Sequence, residues 1–195
     1  MNTKTPRRLI VGISGASGTI YGIRLLEMLK KTDIETHLVM SKSAEMTLVY
    51  ETKFKPKDVK ALASVVHPAA DIGASISSGS FPTMGMVIVP CSIRTMSEIA
   101  TGVTSTLVSR AADVVLKEKR RLVLALRETP LHGGHLRTLT TLADIGAVVA
   151  PIVPAFYSKP KTVDDIINHT VGRLLDFFGI ETKLVKRWEG GPAAD

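Results

Sequence analysis

The chain is predicted to be α/β, with one doubly wound parallel sheet carrying helices on both faces. Three observations predict this. Short, continuously apolar runs alternate with longer segments of helical periodicity, the first run breaks into a Gly/Ser-rich turn, and hydroxyls and cations collect where the runs end. Continuous apolar strands suit a parallel sheet covered on both faces, and their alternation with helices is the βαβ pattern.

The elements follow in order. Residues 9–13 (LIVGI) form a buried strand and residues 20–31 an amphipathic helix. Residues 36–40 (THLVM) are a second strand, followed by a helix capped by Ser41 or Ser43. Residues 53–82 are less regular, with a possible short helix and the loop SISSGSFP. Residues 84–89 (MGMVIV) are a third strand, with helical material after PCSIRT, and residues 103–117 have the Ala and Leu content of a helix packed on a sheet. Residues 122–126 (LVLAL) make a fourth core strand, then come a polar loop at 127–135, a helix at 136–144 and a last strand at 147–151. In the final helix Val163, Ile166, Ile167, Val171, Leu174, Leu175 and Phe178 recur at helical spacing, and Gly179 stops it. The expected organisation is a loose N-terminus (1–8), one domain (9–180) and a C-terminal tail (181–195) contributing to the site.

The turn at 12–18 is expected to leave backbone N–H groups free at a helix N-terminus, where the helix dipole favours an anion such as phosphate. Gly12, Gly15 and Gly18 are spaced GxxGxxG. The dinucleotide fingerprint GxGxxG therefore fails at Ser14, and the nucleoside-triphosphate loop fails because Thr19 follows Gly18 where Lys is needed.

The bulk numbers exclude several classes. At 195 residues the chain is long enough to bury one sizeable core. No apolar run approaches the roughly 20 residues needed to span a bilayer, and MNTKTPRR lacks the apolar core of a secretory signal. A net charge of +7 raises nucleic acid as a partner, but aromatics are 5% and none interleaves with the basic run KEKRR. No stacking platform for bases is visible, so no nucleic acid is expected. A single cysteine, Cys91, cannot form an intrachain disulfide and points to a cytoplasmic location.

Ligands of open parallel sheets bind beyond the carboxyl ends of the strands. The segments there are SGASG (14–18), SKS (41–43), PCSIRT (90–95), RETP (127–130) and PAFYSKP (154–160). An NAD site wants a carboxylate at the end of the second strand, where this chain has Ser41 and Lys42. Hydroxyl-lined loops suit a single phosphate and a polyol, such as FMN. Cys91 is expected to be a small buried hydrophobe, and His132 and His135 in HGGH lack a third ligand, so no metal is expected.

SGASG, SK followed by Glu51, PCSxxT, RAADVxLKExR, LxxRExP, AFYxxP and a late Arg–Trp pair occur in order. Together they resemble the UbiX/Pad family of flavin prenyltransferases, which are Rossmann/flavodoxin-like flavoproteins. The resemblance implies transfer of the dimethylallyl group of dimethylallyl monophosphate to N5 and C6 of reduced FMN, without a metal. The product, prenylated FMN, would serve a UbiD-type decarboxylase. It further implies that Gly15, Ala16, Ser17, Ser41, Ser92, Ile93, Arg94, Thr95 and Arg127 contact FMN. Arg110, Lys117, Glu128, Tyr157 and Arg173 would hold the prenyl phosphate, with Ser17 and Glu51 near the reacting N5 and Trp188 near the prenyl tail. A homo-oligomer, a dodecamer, is implied, with Arg110, Lys117 and Trp188 serving a neighbour's site.

The chemistry of these residues agrees. Arg and Lys give charge-assisted hydrogen bonds to a leaving phosphate, and Tyr157 adds a neutral donor. Glu128 could pass a proton to that phosphate. An allylic cation needs an aromatic wall, which Trp188 or the flavin could supply. The plainer alternatives are that Ser17 caps the first helix, that Arg110 and Lys117 form an exposed helix face, and that Tyr157 and Arg173 only pack. Two rival functions share the fold. A cysteine-type decarboxylase would want a PASANT-like segment and a His after the second strand, and a non-catalytic FMN carrier would not need Glu128, Tyr157 and Arg173.

Overall fold

The computed structural model describes residues 6–182, 185 and 190. Trp188 lies outside the described residues, as do most of the segments expected to be a loose N-terminus and a tail.

The strands β1 (Arg8–Ile13), β2 (Glu35–Met40), β3 (Val65–His67), β4 (Gly85–Cys91), β5 (Arg121–Leu126) and β6 (Val148–Val149) form one sheet in the order β3-β2-β1-β4-β5-β6. Every pairing is parallel. The helices are α1 (Thr19–Leu29), α2 (Lys42–Glu51), α3 (Pro56–Lys60), α4 (Ile93–Ala100), α5 (Leu107–Lys117), α6 (Gly133–Asp144) and α7 (Val163–Asp176). Strand order reverses between β1 and β4, so the switch point that receives ligands in such sheets lies at their carboxyl ends.

Alternation along β1 separates the two layers. Leu9, Val11 and Ile13 pack with α1 and α7, whereas Ile10 joins Met96, Val108 and Leu142 from α4, α5 and α6 on the other face. Helix α1 approaches the sheet closely at Gly22. A Cβ there would stand 2.6 Å from the Val89 carbonyl oxygen and 2.8 Å from Ile13 Cδ1.

The doubly wound sheet is present, with differences at its margins. β3 was not expected: it is three residues long at the sheet edge, with Val65 and Val66 exposed, so it lacks an apolar run. The fifth helix begins at Leu107 rather than residue 103, because Thr106 and Ser109 cap it reciprocally. The sixth begins at Gly133, inside the stretch expected to be loop, because His132 Nδ1 accepts the N–H groups of Gly134 (3.0 Å) and His135 (3.3 Å). The last strand shrinks from five residues to Val148–Val149.

Candidate active site

Ser14 joins the first two loops of the site. Fully buried, it donates Oγ–H to the Pro90 carbonyl (3.0 Å) and accepts the Ser92 N–H (2.8 Å). SGASG and PCSIRT therefore leave β1 and β4 as one unit.

The N–H groups expected to be free before α1 are not. At the N-terminus of α1 the donors are already engaged: Glu51 Oε2 accepts the N–H of Gly18 (2.9 Å) and of Thr19 (3.2 Å) and the Thr19 hydroxyl (3.2 Å). Gly18 is the N-cap and contributes no side chain, so Ser17 is not the cap either. Ser17 instead hydrogen-bonds Glu51. Burial pushes the Glu51 carboxyl up, but the hydrogen bonds from Ser17, Gly18 and Thr19 outweigh it and hold the group below its ordinary value.

Three other helix N-termini meet at a cavity of about 510 Å³. Their N-caps, Ser41, Ser92 and Thr106, all line it. Ser41 Oγ accepts from Ala44 N–H (3.1 Å), Ser92 Oγ from Thr95 N–H (3.3 Å) and Thr106 Oγ1 from Ser109 N–H (3.5 Å). Three dipole ends and Lys42 bring positive charge to this lining, which also contains Glu98 and Glu128. Ser41 is thus the cap of α2, of the two serines considered.

Of the expected flavin contacts, Gly15, Ser41, Ser92, Ile93, Arg94 and Thr95 line the cavity, and so does Glu128. Ala16 and Ser17 follow Gly15 in the same turn, where the Ala16 N–H donates to the Ser14 carbonyl (2.9 Å). Arg94, with a largely exposed side chain, pairs with Glu98 (2.9 Å), which lines the same cavity. Arg127 is anchored at the end of β5 by its N–H to the Cys91 carbonyl (3.1 Å), with an exposed side chain. At Gly15 a Cβ would lie 2.4 Å from Ser43 Cβ, so only glycine lets the turn close on α2. Volume, hydroxyl lining and this backbone cradle fit a flavin mononucleotide.

Tyr157 and Arg173 line a second pocket of about 640 Å³, which shares no lining residue with the first. There the Tyr157 hydroxyl meets His169 Nε2 at 2.9 Å, and Arg173 pairs with Asp176 at 2.6 Å. Arg110 and Lys117 line neither cavity. Arg110 pairs with Asp113 (2.9 Å), while Lys117, about 10 Å further along α5, pairs with Glu118 (2.6 Å). One protomer therefore does not bring the expected phosphate ligands together.

Cys91 is fully buried and burial pushes its thiol up to about 12, as suits a small core residue. His132 and His135 stack at 3.5 Å, and His132 serves as the cap of α6. Lys42, Ser43, Ser105, Thr106 and His169 were missed as site residues. The Thr-Ser-Thr run before Leu107 is an N-cap signal that could have exposed Thr106. Nothing in sequence marks His169.

A doubly wound sheet with a phosphate-and-polyol cavity at its switch point defines a protein that binds a mononucleotide cofactor. The Flavoprotein family model matches residues 1–175. The flavin prenyltransferase UbiX of Escherichia coli K12 is 62% identical over 187 residues, covering 94% of this chain and 99% of that protein. A crystal structure of AnUbiX (PadA1) in complex with FMN and dimethylallyl pyrophosphate superposes with a TM-score of 0.94 at 49% identity, covering 96% of this chain and 100% of the other. A dodecameric FMN-dependent UbiX-like decarboxylase from Escherichia coli O157:H7 superposes at 0.92 with 50% identity, covering 94% and 100%. The chain belongs to the flavin prenyltransferases of the flavoprotein family. No described helix is long and apolar enough to cross a membrane.

Proposed function

We propose that this chain transfers the dimethylallyl group of dimethylallyl monophosphate to N5 and C6 of reduced FMN, and that prenylated FMN then goes to a UbiD-type decarboxylase. The observation that carries the reading is the separation of two complementary half-sites. One is a flavin-sized cavity edged by three helix N-termini, and the other is a pocket with a tyrosine and an arginine suited to phosphate.

Bound in the first cavity, reduced FMN supplies nucleophilic positions at N5 and C6. The chain's residues do the rest. Ser41, Ser92 and Thr106 present N-terminal amides to the flavin phosphate, and Lys42 adds charge. Ser17, hydrogen-bonded to an ionised Glu51, offers a route by which a proton leaves N5 toward that carboxylate. Glu128 protonates the departing phosphate, and Arg110, Lys117, Tyr157 and Arg173 neutralise it in place of a metal ion. Trp188 walls the prenyl tail. Because Glu128 lines the first cavity, Tyr157 and Arg173 the second, and Arg110 and Lys117 lie on α5 outside both, the complete site is composite. A dodecamer, the assembly of one structural relative, brings Arg110, Lys117 and Trp188 to a neighbour's flavin. A cytoplasmic location is supported by the single, buried, unpaired cysteine.

The decisive experiment incubates the protein anaerobically with reduced FMN and either dimethylallyl monophosphate or the diphosphate. The released flavin is then weighed by mass spectrometry. A prenyl-sized mass gain with the monophosphate is expected, and an unaltered flavin overturns the reading in favour of a carrier. Light scattering is expected to give a particle near twelve times the 21.0 kDa chain mass.

A further inference from the structure

Glu98 lies in the last turn of α4 and lines the flavin cavity, with 15% of its side chain exposed. An acid is out of place there on two counts. A helix C-terminus disfavours an anion, and the cavity is suited to a phosphate. Its partner Arg94, 2.9 Å away, lies in the first turn of the same helix, where the dipole disfavours a cation. The order of the pair, base four residues before acid, is also the weaker one for a helix. Helix stability therefore gives no reason for either residue.

The reason lies in what the carboxylate touches. Residues 101–106 join α4 to α5, and 101–105 are exposed. The hydroxyls of Ser105 and Ser109 hydrogen-bond the Glu98 carboxylate, as does Arg94. The Val103 N–H donates to the Glu98 carbonyl at 2.9 Å. Ser105 and Thr106 are themselves cavity residues, so Glu98 fixes one wall of the flavin site. Burial pushes the Glu98 carboxyl up, but the hydrogen bonds from Arg94, Ser105 and Ser109 outweigh it and hold the group below its ordinary value. It is an anion at neutral pH.

We propose that Glu98 is a positioning residue that straps the α4–α5 connection onto the cavity, and that Arg94 is the counter-charge that lets a flavin phosphate share the cavity with it. This rests on the reading that this cavity holds the flavin phosphate. The lining carries two cations, Lys42 and Arg94, and two carboxylates, Glu98 and Glu128, so its formal charges cancel. Without Arg94 the balance tips negative and repels a phosphate dianion. A flavin lacking the phosphate does not feel that change. Arg94 is thus a determinant of selectivity for FMN over riboflavin, acting through charge.

The test titrates flavin-free protein, in its full assembly, with FMN and with riboflavin, following the quenching of flavin fluorescence. Riboflavin has the same ring and polyol without the phosphate, so it reports the shape of the cavity alone. Arg94→Met is expected to raise the Kd for FMN about 3- to 10-fold at low salt and to leave that for riboflavin unchanged. The effect should fade near 1 M salt, where the Debye length is about 3 Å. Glu98→Gln removes the charge but keeps an oxygen for the serine hydroxyls. Arg94→Met/Glu98→Gln is therefore expected to bring the Kd for FMN back to within about twofold of wild type. An unchanged Kd for FMN in Arg94→Met overturns the inference. So does a riboflavin Kd that rises in parallel, which marks the pair as structural, or a double variant that recovers nothing. If the wild-type protein binds riboflavin as tightly as FMN, the reading of this cavity as the phosphate site falls, and the inference falls with it.

Discussion

Glu51 Oε2 accepts the backbone N–H of Gly18 at 2.9 Å across 33 residues of sequence, so the last residue of α2 caps the first turn of α1. A carboxylate at a helix N-terminus is stabilising by charge as well as by hydrogen bonding. Glu51→Gln is expected to destabilise the fold by about 1 kcal/mol, measured by urea unfolding. The sign with pH is definite. The folded-state carboxyl sits below its ordinary 4.5, so the contribution is present above that value and is lost as pH falls through the folded-state one. Wild type and Glu51→Gln should therefore converge in stability as acidification protonates the folded-state carboxyl.

Gly15→Ala tests the cradle. The added methyl would meet Ser43 Cβ at 2.4 Å, forcing the turn off α2 at a cost of about 1–3 kcal/mol. Because both partners lie at the cavity rim, FMN affinity measured by fluorescence quenching should fall at least tenfold. Gly15→Ala/Ser43→Gly should recover much of it.

Glu128→Gln separates acid catalysis from binding. The side chain lines the cavity, and Oε1 accepts the Thr129 N–H at 3.0 Å. Removing a positioned proton donor typically slows a step 10²- to 10⁴-fold. Single-turnover prenylation should fall by about that factor while flavin binding is kept. Loss of FMN instead would assign Glu128 to the flavin site or the fold.

Cys91 should resist thiol reagents. With its pKa pushed up to about 12 and no exposed surface, essentially no thiolate is available at pH 8. Reaction with a disulfide reagent should appear only on unfolding, and Cys91→Ser should leave prenyl transfer measurable.

Legibility in the sequence followed the physics of each element. Strands β1, β4 and β5 were readable from their long apolar runs, and β2 from the shorter run Leu38–Met40 that ends it. β3 was not, because a short, half-exposed edge strand carries no such run. Seven of the expected residues line the flavin cavity, since short polar loops at strand ends are where such sheets bind ligands. The first turn of α1 was expected to have free N–H groups, and it does not. A glycine turn before α1 looks open locally, and only the tertiary contact from Glu51 fills it. The Tyr157–His169 contact was equally hidden, because twelve residues and a turn separate partners that meet only after α7 docks.

Two of the three caps at the flavin cavity belong to helices launched from different strands. Ser41 follows β2 and Ser92 follows β4, which flank β1, so the sheet holds their launch points about two strand spacings, or roughly 10 Å, apart. The spacing of these two helix N-termini is thus a property of backbone pairing rather than of any loop side chain. Insertions after β6 can remodel the second pocket without altering that spacing. A lineage could change its allyl donor many times and still hold the same flavin.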